Sequence, residues 1–472
     1  MTDLRTNAKR ALWVLRIATL LFYALAMLYM LLDYVPGVAL LRSAAVVAPL
    51  ALAALALREG TLRRPVYWIG FAFAAWYGLT RALMGRSVLS FALYHVFALC
   101  AVFGLAFPFA AMQRDGDERA ASVVLGVLTA IIGALAWLSI LCACTGTLAF
   151  LGTNGTFGIL RLGQSGGIYI FMGQNNNFTA ALMIAGVFMS LYLWVSRRGK
   201  PTAVLGGLCF VGCYAALGMT QSRSARVLLA AFAAMLVGLL YARSRFWRGR
   251  LRLLRLVAVF VAACVAVYAG FSWSVDVITR MAAQNTAQAE TLPTPSPQPE
   301  AGGNIVKKRS IVESIATLSN RLPIYRATLQ IVADEPGILL TGMNETSIPS
   351  RLRQYLGHEQ SHTHNAYLQT LLITGLPGLL MALLMTAMIA RMGIRLFFSR
   401  QPEATLADRV LAVAVGAMFL HSMMEHYLFV DNYSILNLLF FLMAGYVVER
   451  GTRLEPLFPR FKKAKGRMRT DS

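Results

Sequence analysis

Charged residues are scarce in this sequence: Asp, Glu, Lys and Arg together fill only 14% of its 472 positions. Soluble globular domains usually carry roughly 25%. Hydrophobic residues make up 57% of the chain, in recurring runs long enough to cross a hydrocarbon core of roughly 30 Å as helices. The scarcity of charge therefore excludes a soluble globular protein and predicts an all-α polytopic membrane protein.

Acidic residues are the scarcer charged group, since 21 Asp and Glu face 44 Lys and Arg for a net charge of +23. A soluble chain this basic would be a candidate for nucleic-acid binding. No basic module interleaved with aromatic residues is present, however, and we expect no nucleic-acid partner. The basic residues lie mostly in short loops between apolar runs, where they orient a membrane protein and attract anionic lipid or phosphate.

Cysteine is rare too, and all six cysteines lie inside apolar runs. The long polar segment between the runs contains none, so no disulfide framework is predicted. Cys209 and Cys213 are four residues apart and share a helix face. A metal or redox pair is conceivable there, but buried cysteines more often act as small hydrophobic groups.

The apolar runs predict about twelve transmembrane helices, at 11–32, 38–57, 66–84, 88–111, 121–144, 170–195, 202–220, 224–242, 256–274, 366–390, 409–427 and 433–449. With the N-terminus in the cytoplasm, every strongly basic short loop falls on the cytoplasmic side, as the positive-inside rule requires. We therefore expect both termini in the cytoplasm and an uncleaved first helix.

This topology divides the chain into four parts: about nine spans in 1–274, an extracytoplasmic loop in 275–365, three spans in 366–449 and a basic cytoplasmic tail in 450–472. Within the loop, 284–304 is rich in Pro and Thr and predicts a mobile linker. The stretch 320–335 predicts an amphipathic helix, because Asn320 can cap it and an Asp-Glu-Pro-Gly run ends it. The extracytoplasmic loop is therefore expected to be large and partly helical.

The polar stretch GHEQSHTHNAYLQTLLITG, at 357–375, runs directly into an apolar helix. It holds His358, His362 and His364, followed by Asn365. His364 is the strongest candidate for chemistry, because a neutral imidazole can take a proton from a hydroxyl nucleophile. Asn365 beside it could orient the substrate or the ring. A hydrogen-bonded loop histidine without a chemical role is the alternative.

Several arginines fall on the outer side, where the positive-inside rule gives no reason for a charge. Arg223 lies in QSRSAR at the junction of two spans, and Arg81, Arg86 and Arg161 are on the same side. Guanidinium groups bind phosphate through paired hydrogen bonds, so such a set indicates an anionic ligand. Snorkelling to the outer headgroups is the alternative for Arg223.

The residues from His358 to His362 also match H-E-x-x-H, the helical zinc pair of metalloproteases. Three features count against a zinc site: Gly357 precedes the match, the segment is polar on all sides, and no third ligand stands out. A metalloprotease is therefore the least favoured interpretation.

Glu425 and His426 lie in HSMMEHYLF, at the outer end of a predicted span. They could join a site on this side of the membrane. They could equally pair with each other or with an outer arginine.

Several motifs together resemble the O-antigen ligase and polymerase family. RLPIYRATLQIVADEPGILLTG followed by SHTHNAYLQTLLITGLPGLL matches the family's pattern of Arg, an aromatic residue, an acidic-Pro stretch ending in Gly, and His-Asn at a helix start. QSRSA resembles its Ser-Arg junction, GQNNNFTA its Asn-rich helix start and HSMMEHYLF its C-terminal pair. The resemblance covers residues 165–449. Tyr325 stands where Trp is common, and His358 and His362 are additional to the pattern.

The resemblance implies a GT-C-like glycosyltransferase of the bacterial cytoplasmic membrane that needs no metal or other cofactor. Such an enzyme takes a glycan from an undecaprenyl-pyrophosphate carrier outside the cytoplasm and joins it to a hydroxyl of a glycan or lipid acceptor, in cell-surface polysaccharide assembly. It implies His364 as the general base and Arg223 and Arg321 as pyrophosphate ligands. The other candidates are two donor-binding arginines and five supporting side chains: Arg161, Arg81, Asn365, Tyr325, His362, Glu425 and His426.

A transporter or flippase of lipid-linked sugars is the main alternative. Twelve spans and outward arginines fit it, but transporters more often carry internal repeats, interrupted helices and ionisable residues at mid-membrane. The candidate residues here gather on one face instead. Ligase and polymerase share the same residue types, and only the acceptor separates them.

Overall fold

The computed structural model describes residues 2–30, 51–52, 54–57, 62–83, 98–112, 118–144, 162–165, 168–171, 176–196, 199–220, 222–243, 252–290, 321–358, 360–430 and 435–455. The helices of the first part are α1 Thr2–Met30, α2 Pro65–Leu83, α3 Ala98–Ala110, α4 Glu118–Cys144, α5 Asn176–Val195, α6 Lys200–Thr220, α7 Arg223–Arg243 and α8 Arg252–Glu290. Those of the second part are α9 Arg321–Asp334, α10 Ile338–Thr341, α11 Ile348–Leu356, α12 Ala366–Phe398, α13 Leu406–Ser422 and α14 Ile435–Arg453.

Seven helices among the described residues are long and apolar enough to cross a membrane: Val123–Leu141, Asn177–Val195, Lys200–Thr220, Arg223–Arg243, Arg252–Met281, Ala366–Phe398 and Ile435–Arg453. Each coincides with a predicted span, and the helical membrane class is confirmed. The predicted spans 38–57 and 88–111 lie partly outside the described residues. The total of twelve spans stays a prediction.

One short hairpin interrupts the helical pattern. Strands β1 (Leu162–Ser165) and β2 (Ile168–Phe171) pair antiparallel, and β2 packs against α5 and α6. The helix predicted to begin at residue 170 therefore begins at Asn176, and residues 170 and 171 belong to strand β2 instead. The hairpin leads the chain to the Asn-rich start of α5.

Helices α5 and α14 lie at the centre of the bundle, where most of their side chains are buried. α5 packs against α4, α6 and α13, and α14 packs against α12, α13 and the end of α3. Small residues permit this close packing, as is typical of membrane helices: a Cβ added to Gly186 would lie 2.6 Å from Cys213 Sγ. Cys213 therefore fills space between two helices, as expected for a small hydrophobic group.

The segment between α8 and α12 is largely helical where it is described. α8 continues to Glu290, so residues 284–290 of the predicted linker are helical, and residues 291–304 lie outside the described part. The sequence MAAQNTAQAE that ends α8 is rich in Ala, Gln and Glu and has no Pro or Gly, which favours a helix. α9 lies over the stretch with the predicted amphipathic pattern and packs against α11 and α12.

α12 is broken at Gly375, whose φ of 69° and ψ of −171° are not helical. Pro377 follows within the same helix. The chain of α10 passes close to the break, because a Cβ added to Gly375 would lie 2.8 Å from the carbonyl carbon of Leu340. Only glycine combines this positive φ with so close an approach. The break leaves a short helical segment between residues 366 and 374.

The break also frees main-chain carbonyls that a continuous helix would satisfy, and buried carbonyls need donors. Arg81 of α2 donates to the carbonyls of Ile373 and Met343, and Trp76 Nε1 donates to Thr374 O over 2.8 Å. The residue Arg81 is only 2% exposed. Its guanidinium therefore anchors the broken helix to its surroundings.

Replacing Gly375 with Ala should destabilise the protein. An alanine at this φ would be strained by roughly 1–3 kcal/mol, and its methyl group would also meet the chain of α10. We expect a lower midpoint of thermal unfolding for the purified protein in detergent. Gly207→Ala is the matched control, because a Cβ there meets nothing within 4 Å. Equal midpoints for the two variants would contradict the break at Gly375.

Candidate active site

A buried carboxylate, Glu425, is the centre of a hydrogen-bonded cluster. Its side chain is 6% exposed. Arg321 Nη2 donates to Glu425 Oε1 over 3.0 Å, and Asn177 Nδ2 donates to the same oxygen over 2.7 Å. His364 Nδ1 lies 3.1 Å from the other oxygen, Oε2. Three side chains that are far apart in the sequence thus converge on one acidic group.

Glu425 reaches this position because α13 ends early. The helix predicted to continue to residue 427 stops at Ser422, and the chain then turns back. Tyr427 holds the turn, since its hydroxyl donates to Met418 O over 2.6 Å. Glu425 and His426 therefore lie in a loop beyond the helix, where both side chains can face the start of α12.

The start of α12 fixes His364 and Asn365. His364 has a φ of 51°, a left-handed conformation that costs roughly 1–2 kcal/mol for a residue with a Cβ. Asn365 caps the helix, because its side chain accepts hydrogen bonds from the amides of Tyr367 and Leu368 over 2.9 and 3.1 Å. Its Nδ2 donates to Met423 O over 3.0 Å. Asn365 therefore ties the His364 loop to the Glu425 loop.

Tyr325 ties α9 to the same two loops. Its hydroxyl lies 3.0 Å from Met423 O and 3.3 Å from His364 O. Because Tyr325 follows Arg321 by four residues, the two side chains project from one face of α9. A single helix face thus supplies both the cation beside Glu425 and a support for the His364 backbone.

Sequence reasoning missed two members of the cluster, Asn177 and Ser222. Ser222 Oγ donates to Asn177 Oδ1 over 2.8 Å, which orients the amide so that its nitrogen points at Glu425. Both residues lay in motifs noted in the sequence, GQNNNFTA and QSRSA. A polar residue at the start of an apolar helix is a visible signal, but it does not reveal that two helix starts meet.

The two ring nitrogens of His364 face different partners. An ionised carboxylate only accepts hydrogen bonds, so we assign the proton to Nδ1, which points at Glu425. Nε2 then keeps its lone pair and accepts from Gln360 Nε2 over 2.7 Å. His364 therefore presents a basic nitrogen on its other side, where a hydroxyl could take the place of the Gln360 amide. Gln360 is a third residue that sequence reasoning missed.

The charge on Glu425 is stabilised by these donors. Burial alone raises the pKa of this carboxyl, but the hydrogen bond from His364 and the charge of Arg321 lower it. The resulting pKa lies below the usual value of 4.5. Glu425 is therefore ionised at neutral pH, and the guanidinium of Arg321 balances its charge.

His362 and His426 pack beside His364 and are neutral. The ring centroid of His362 lies 4.1 Å from that of His364 and 3.7 Å from that of His426. Burial, together with the neighbouring imidazoles, lowers the pKa of His362 to about 2 and that of His426 to about 3. Desolvation and like-charge repulsion both disfavour the protonated form.

The H-E-x-x-H match does not form a helical zinc pair. α11 ends before Gly357, and the described residues between α11 and α12 are not helical. His358 is exposed, whereas His362 packs against His364. Glu359 lies outside the described residues. The two histidines do not share a helix face, which removes the basis for the metalloprotease interpretation.

The arginines expected to bind a donor are placed differently from one another. Arg321 belongs to the cluster, and Arg223 begins α7 directly after Ser222. Arg161 lies outside the described residues. Arg81 bonds to main-chain carbonyls at the break in α12, so the expectation that it binds the donor is not supported. A buried cation with these partners has a structural role.

A bundle of apolar helices with such a cluster at the helix ends defines a polytopic membrane protein with a candidate acid–base site. Residues 207–383 match the family described as O-antigen ligase. No match is found among curated proteins. The resemblance to the O-antigen ligase and polymerase family is therefore confirmed, and with it a glycan-handling function in the bacterial inner membrane.

The matched residues contain Ser222, Arg321 and His364, but neither Asn177 nor Glu425. These last two nevertheless bond to each other and to residues inside the match. The candidate site therefore needs parts of the chain on both sides of the matched segment.

Replacing Glu425 with Gln should reduce stability in a pH-dependent way. Hydrogen bonds to a charged group contribute roughly 1.5–3 kcal/mol each, so we expect a loss of this order at neutral pH. Because folding lowers the pKa of Glu425, its contribution is fully present above the usual 4.5. It is lost as the pH falls through the folded value. Thermal unfolding of the wild type and of Glu425→Gln, measured from neutral pH to below the usual pKa of 4.5, gives the difference in stability.

Glu335→Gln is the matched control for an exposed ion pair. Glu335 pairs with Arg351 over 2.8 Å, with both side chains 40% exposed. Exposed pairs contribute roughly 0.2–1 kcal/mol, so this variant should remain close to the wild type. A pH-independent loss in Glu425→Gln would contradict an ionised Glu425.

Proposed function

We propose that the protein is a metal-independent glycosyltransferase that transfers or polymerises a glycan from an undecaprenyl-pyrophosphate-linked donor. The acceptor is a hydroxyl of a glycan or lipid on the extracytoplasmic face, in the assembly of O-antigen-like surface polysaccharide. One observation carries this proposal: the imidazole of His364 is oriented by a buried carboxylate, so that its basic nitrogen faces away from Glu425.

His364 acts as the general base in this reaction. The acceptor oxygen forms a bond with the anomeric carbon of the donor while the bond from that carbon to the pyrophosphate oxygen breaks. The acceptor proton moves to His364 Nε2, and the pyrophosphate leaves with the bonding electrons. Glu425 stabilises the imidazolium that forms, because it already accepts from Nδ1. Pyrophosphate is a good leaving group, so no general acid is needed.

Arg321 and Arg223 hold the pyrophosphate and neutralise the charge that grows as it leaves. Within the described part of the chain, Arg321 uses one guanidinium nitrogen for Glu425, and its side chain is 18% exposed. The guanidinium can therefore face a ligand and Glu425 together. Arg223 stands next to Ser222, which bonds to the Asn177 amide.

The remaining candidates support this arrangement. Asn365 and Tyr325 hold the His364 loop, and His362 and His426 form a neutral wall beside it. Arg161 stays a proposed donor ligand from sequence alone. We leave Arg81 out of the donor site because its partners are main-chain carbonyls.

The proposed topology keeps both termini in the cytoplasm and twelve spans in a GT-C-like fold. The membrane parts are 1–274 and 366–449, the extracytoplasmic loop is 275–365, and the cytoplasmic tail is 450–472. The position of the cluster supports this division, because its side chains come from the starts of α5, α7, α9 and α12 and from the loop after α13. The active face is then the extracytoplasmic one.

A transporter of lipid-linked sugars is the second candidate, and the break in α12 favours it, since interrupted helices are common in transporters. The carbonyls at this break are occupied by Arg81 and Trp76, however, and so are not offered to a substrate. Consumption of the donor by purified protein in detergent separates the two functions, because a transporter would leave the donor intact.

His364→Gln should abolish glycan transfer while the protein remains folded. Loss of a general base typically costs roughly 100- to 10,000-fold in rate. The assay combines purified protein, a defined undecaprenyl-pyrophosphate oligosaccharide and candidate acceptors, and the size of the product separates ligase from polymerase. His358→Gln is the matched control, because this exposed histidine lies in the same loop outside the cluster. Substantial transfer by His364→Gln would remove His364 from the role of base.

Arg223→Gln and Arg321→Gln should weaken donor binding and slow transfer, because each removes a cation from the proposed pyrophosphate site. Arg351→Gln is the control, since this arginine pairs with Glu335 in an exposed position. Donor affinity is measured by titration of each folded variant with the undecaprenyl-pyrophosphate oligosaccharide. Unchanged donor affinity in both variants would contradict the proposed pyrophosphate site.

A further inference from the structure

The cluster places more metal-binding atoms together than the proposed reaction uses. One ligand atom each from His362, His364 and Glu425 lies within 4.8 Å of the other two. The ring of His426 lies 3.7 Å from that of His362. Two imidazoles and a carboxylate, with a third imidazole beside them, are the donor types that zinc prefers.

Two further observations point to a ligand at this position. Within the described residues, the buried Nδ1 atom of His426 has no hydrogen-bond partner, which is costly for a buried polar atom. The exposed hydroxyl of Ser361 is the partner of His362 Nδ1, at 2.9 Å, and water could replace it. The side chains of this cluster therefore have unused or readily exchanged nitrogen atoms.

We propose that His362, His364 and Glu425 form a reversible Zn²⁺ site, and that the bound ion inhibits the glycosyltransferase. The inhibitory part rests on the proposed function, whereas binding does not. Ligand atoms in a tetrahedral zinc site lie roughly 3.4 Å apart. The Nδ1–Oε2 pair of His364 and Glu425 already fits at 3.1 Å. Because one ligand atom of each residue lies within 4.8 Å of the others, the other separations must close by at most roughly 1.4 Å, which side-chain rotation can provide.

Inhibition follows from the two nitrogens of His364. The ion takes the lone pair of the Nδ1 atom that faces Glu425, so the single imidazole proton has to lie on Nε2. Nε2 then cannot accept the proton of the acceptor hydroxyl. The ion also occupies the carboxylate oxygen that would stabilise the imidazolium. Zinc at this site thus blocks the base without contacting the donor.

Arg321 limits how tightly the ion binds. Its guanidinium lies 3.0 Å from Glu425 Oε1, so an ion on the same carboxylate has a cation as its neighbour, and the two positive charges repel each other. The site is therefore expected to exchange zinc with solution, unlike a structural site with several thiolate ligands. A chelator should leave the metal-free enzyme fully active.

The test begins with binding and does not require activity. Chelator-treated, full-length protein in detergent is titrated with Co²⁺, whose visible absorption reports coordination, and then with Zn²⁺ in competition. We expect one ion per chain in the wild type, and loss of the signal in His362→Gln and Glu425→Gln. His358→Gln is the control and should keep the signal, because His358 is exposed and lies against Leu356 O.

Thermal unfolding verifies that each variant is folded before titration. No saturable Co²⁺ signal in the wild type, or an undiminished signal in folded His362→Gln, would overturn the site. Zn²⁺ is then added to the transfer assay, where we expect a loss of roughly 100-fold, the contribution of a general base, and recovery with chelator. Binding without inhibition would overturn the inhibitory role alone. Metal binding by a protein that shows no glycan transfer, with or without metal, would contradict the proposed function but not the proposed zinc site.

Discussion

The buried charge of Glu425 is the constraint on which the arrangement of the candidate site depends. A carboxylate that is 6% exposed is strongly destabilising unless donors surround it. Arg321, Asn177 and His364 provide those donors. Because they come from different helices, satisfying one charge fixes the relative positions of α5, α9, α12 and the loop after α13. The fold and the site are therefore coupled through a single group.

The short helical segment before the break in α12 connects the Glu425 cluster to the apolar part of the bundle and is held at both ends. Asn365 caps its first turn, and Arg81 and Trp76 hold the carbonyls at its other end. With both ends held, the segment has little freedom to rotate or slide. The backbone of His364, which immediately precedes the cap, is therefore held in one position as well. Its left-handed backbone can be tolerated because the surroundings over-determine it.

Local chemistry made some of this arrangement predictable. The change from polar to apolar residues at Asn365 marks a helix start, and the Pro and Gly after Asp334 mark a helix end. Arg81 was grouped with the donor ligands because the number of outer arginines cannot distinguish a ligand from a group that bonds to the carbonyls of a broken helix. The relevant signal was Gly375 with Pro377 two residues later, but the partner of such a break is not encoded locally.

Long-range contacts set the limit of sequence reasoning at this site. Asn177 and Glu425 are 248 positions apart, and no periodicity or capping rule relates them. Glu425 was assigned to a span because its neighbours are apolar, whereas the turn held by Tyr427 depends on tertiary packing. Glu425 was therefore found as a candidate for the site, but its contact with His364 and the partner Gln360, which together give the imidazole a defined tautomer, were not predicted.

Under the proposed function, the charge balance of the cluster explains how one carboxylate can serve two cations in turn. Before the reaction, Glu425 and the guanidinium of Arg321 balance each other, and His364 is neutral. When the acceptor proton reaches Nε2, the imidazolium becomes a second cation beside Glu425. The attraction between Glu425 and Arg321 then weakens, and the guanidinium can turn toward the pyrophosphate as its negative charge grows. Proton transfer and stabilisation of the leaving group are thereby linked.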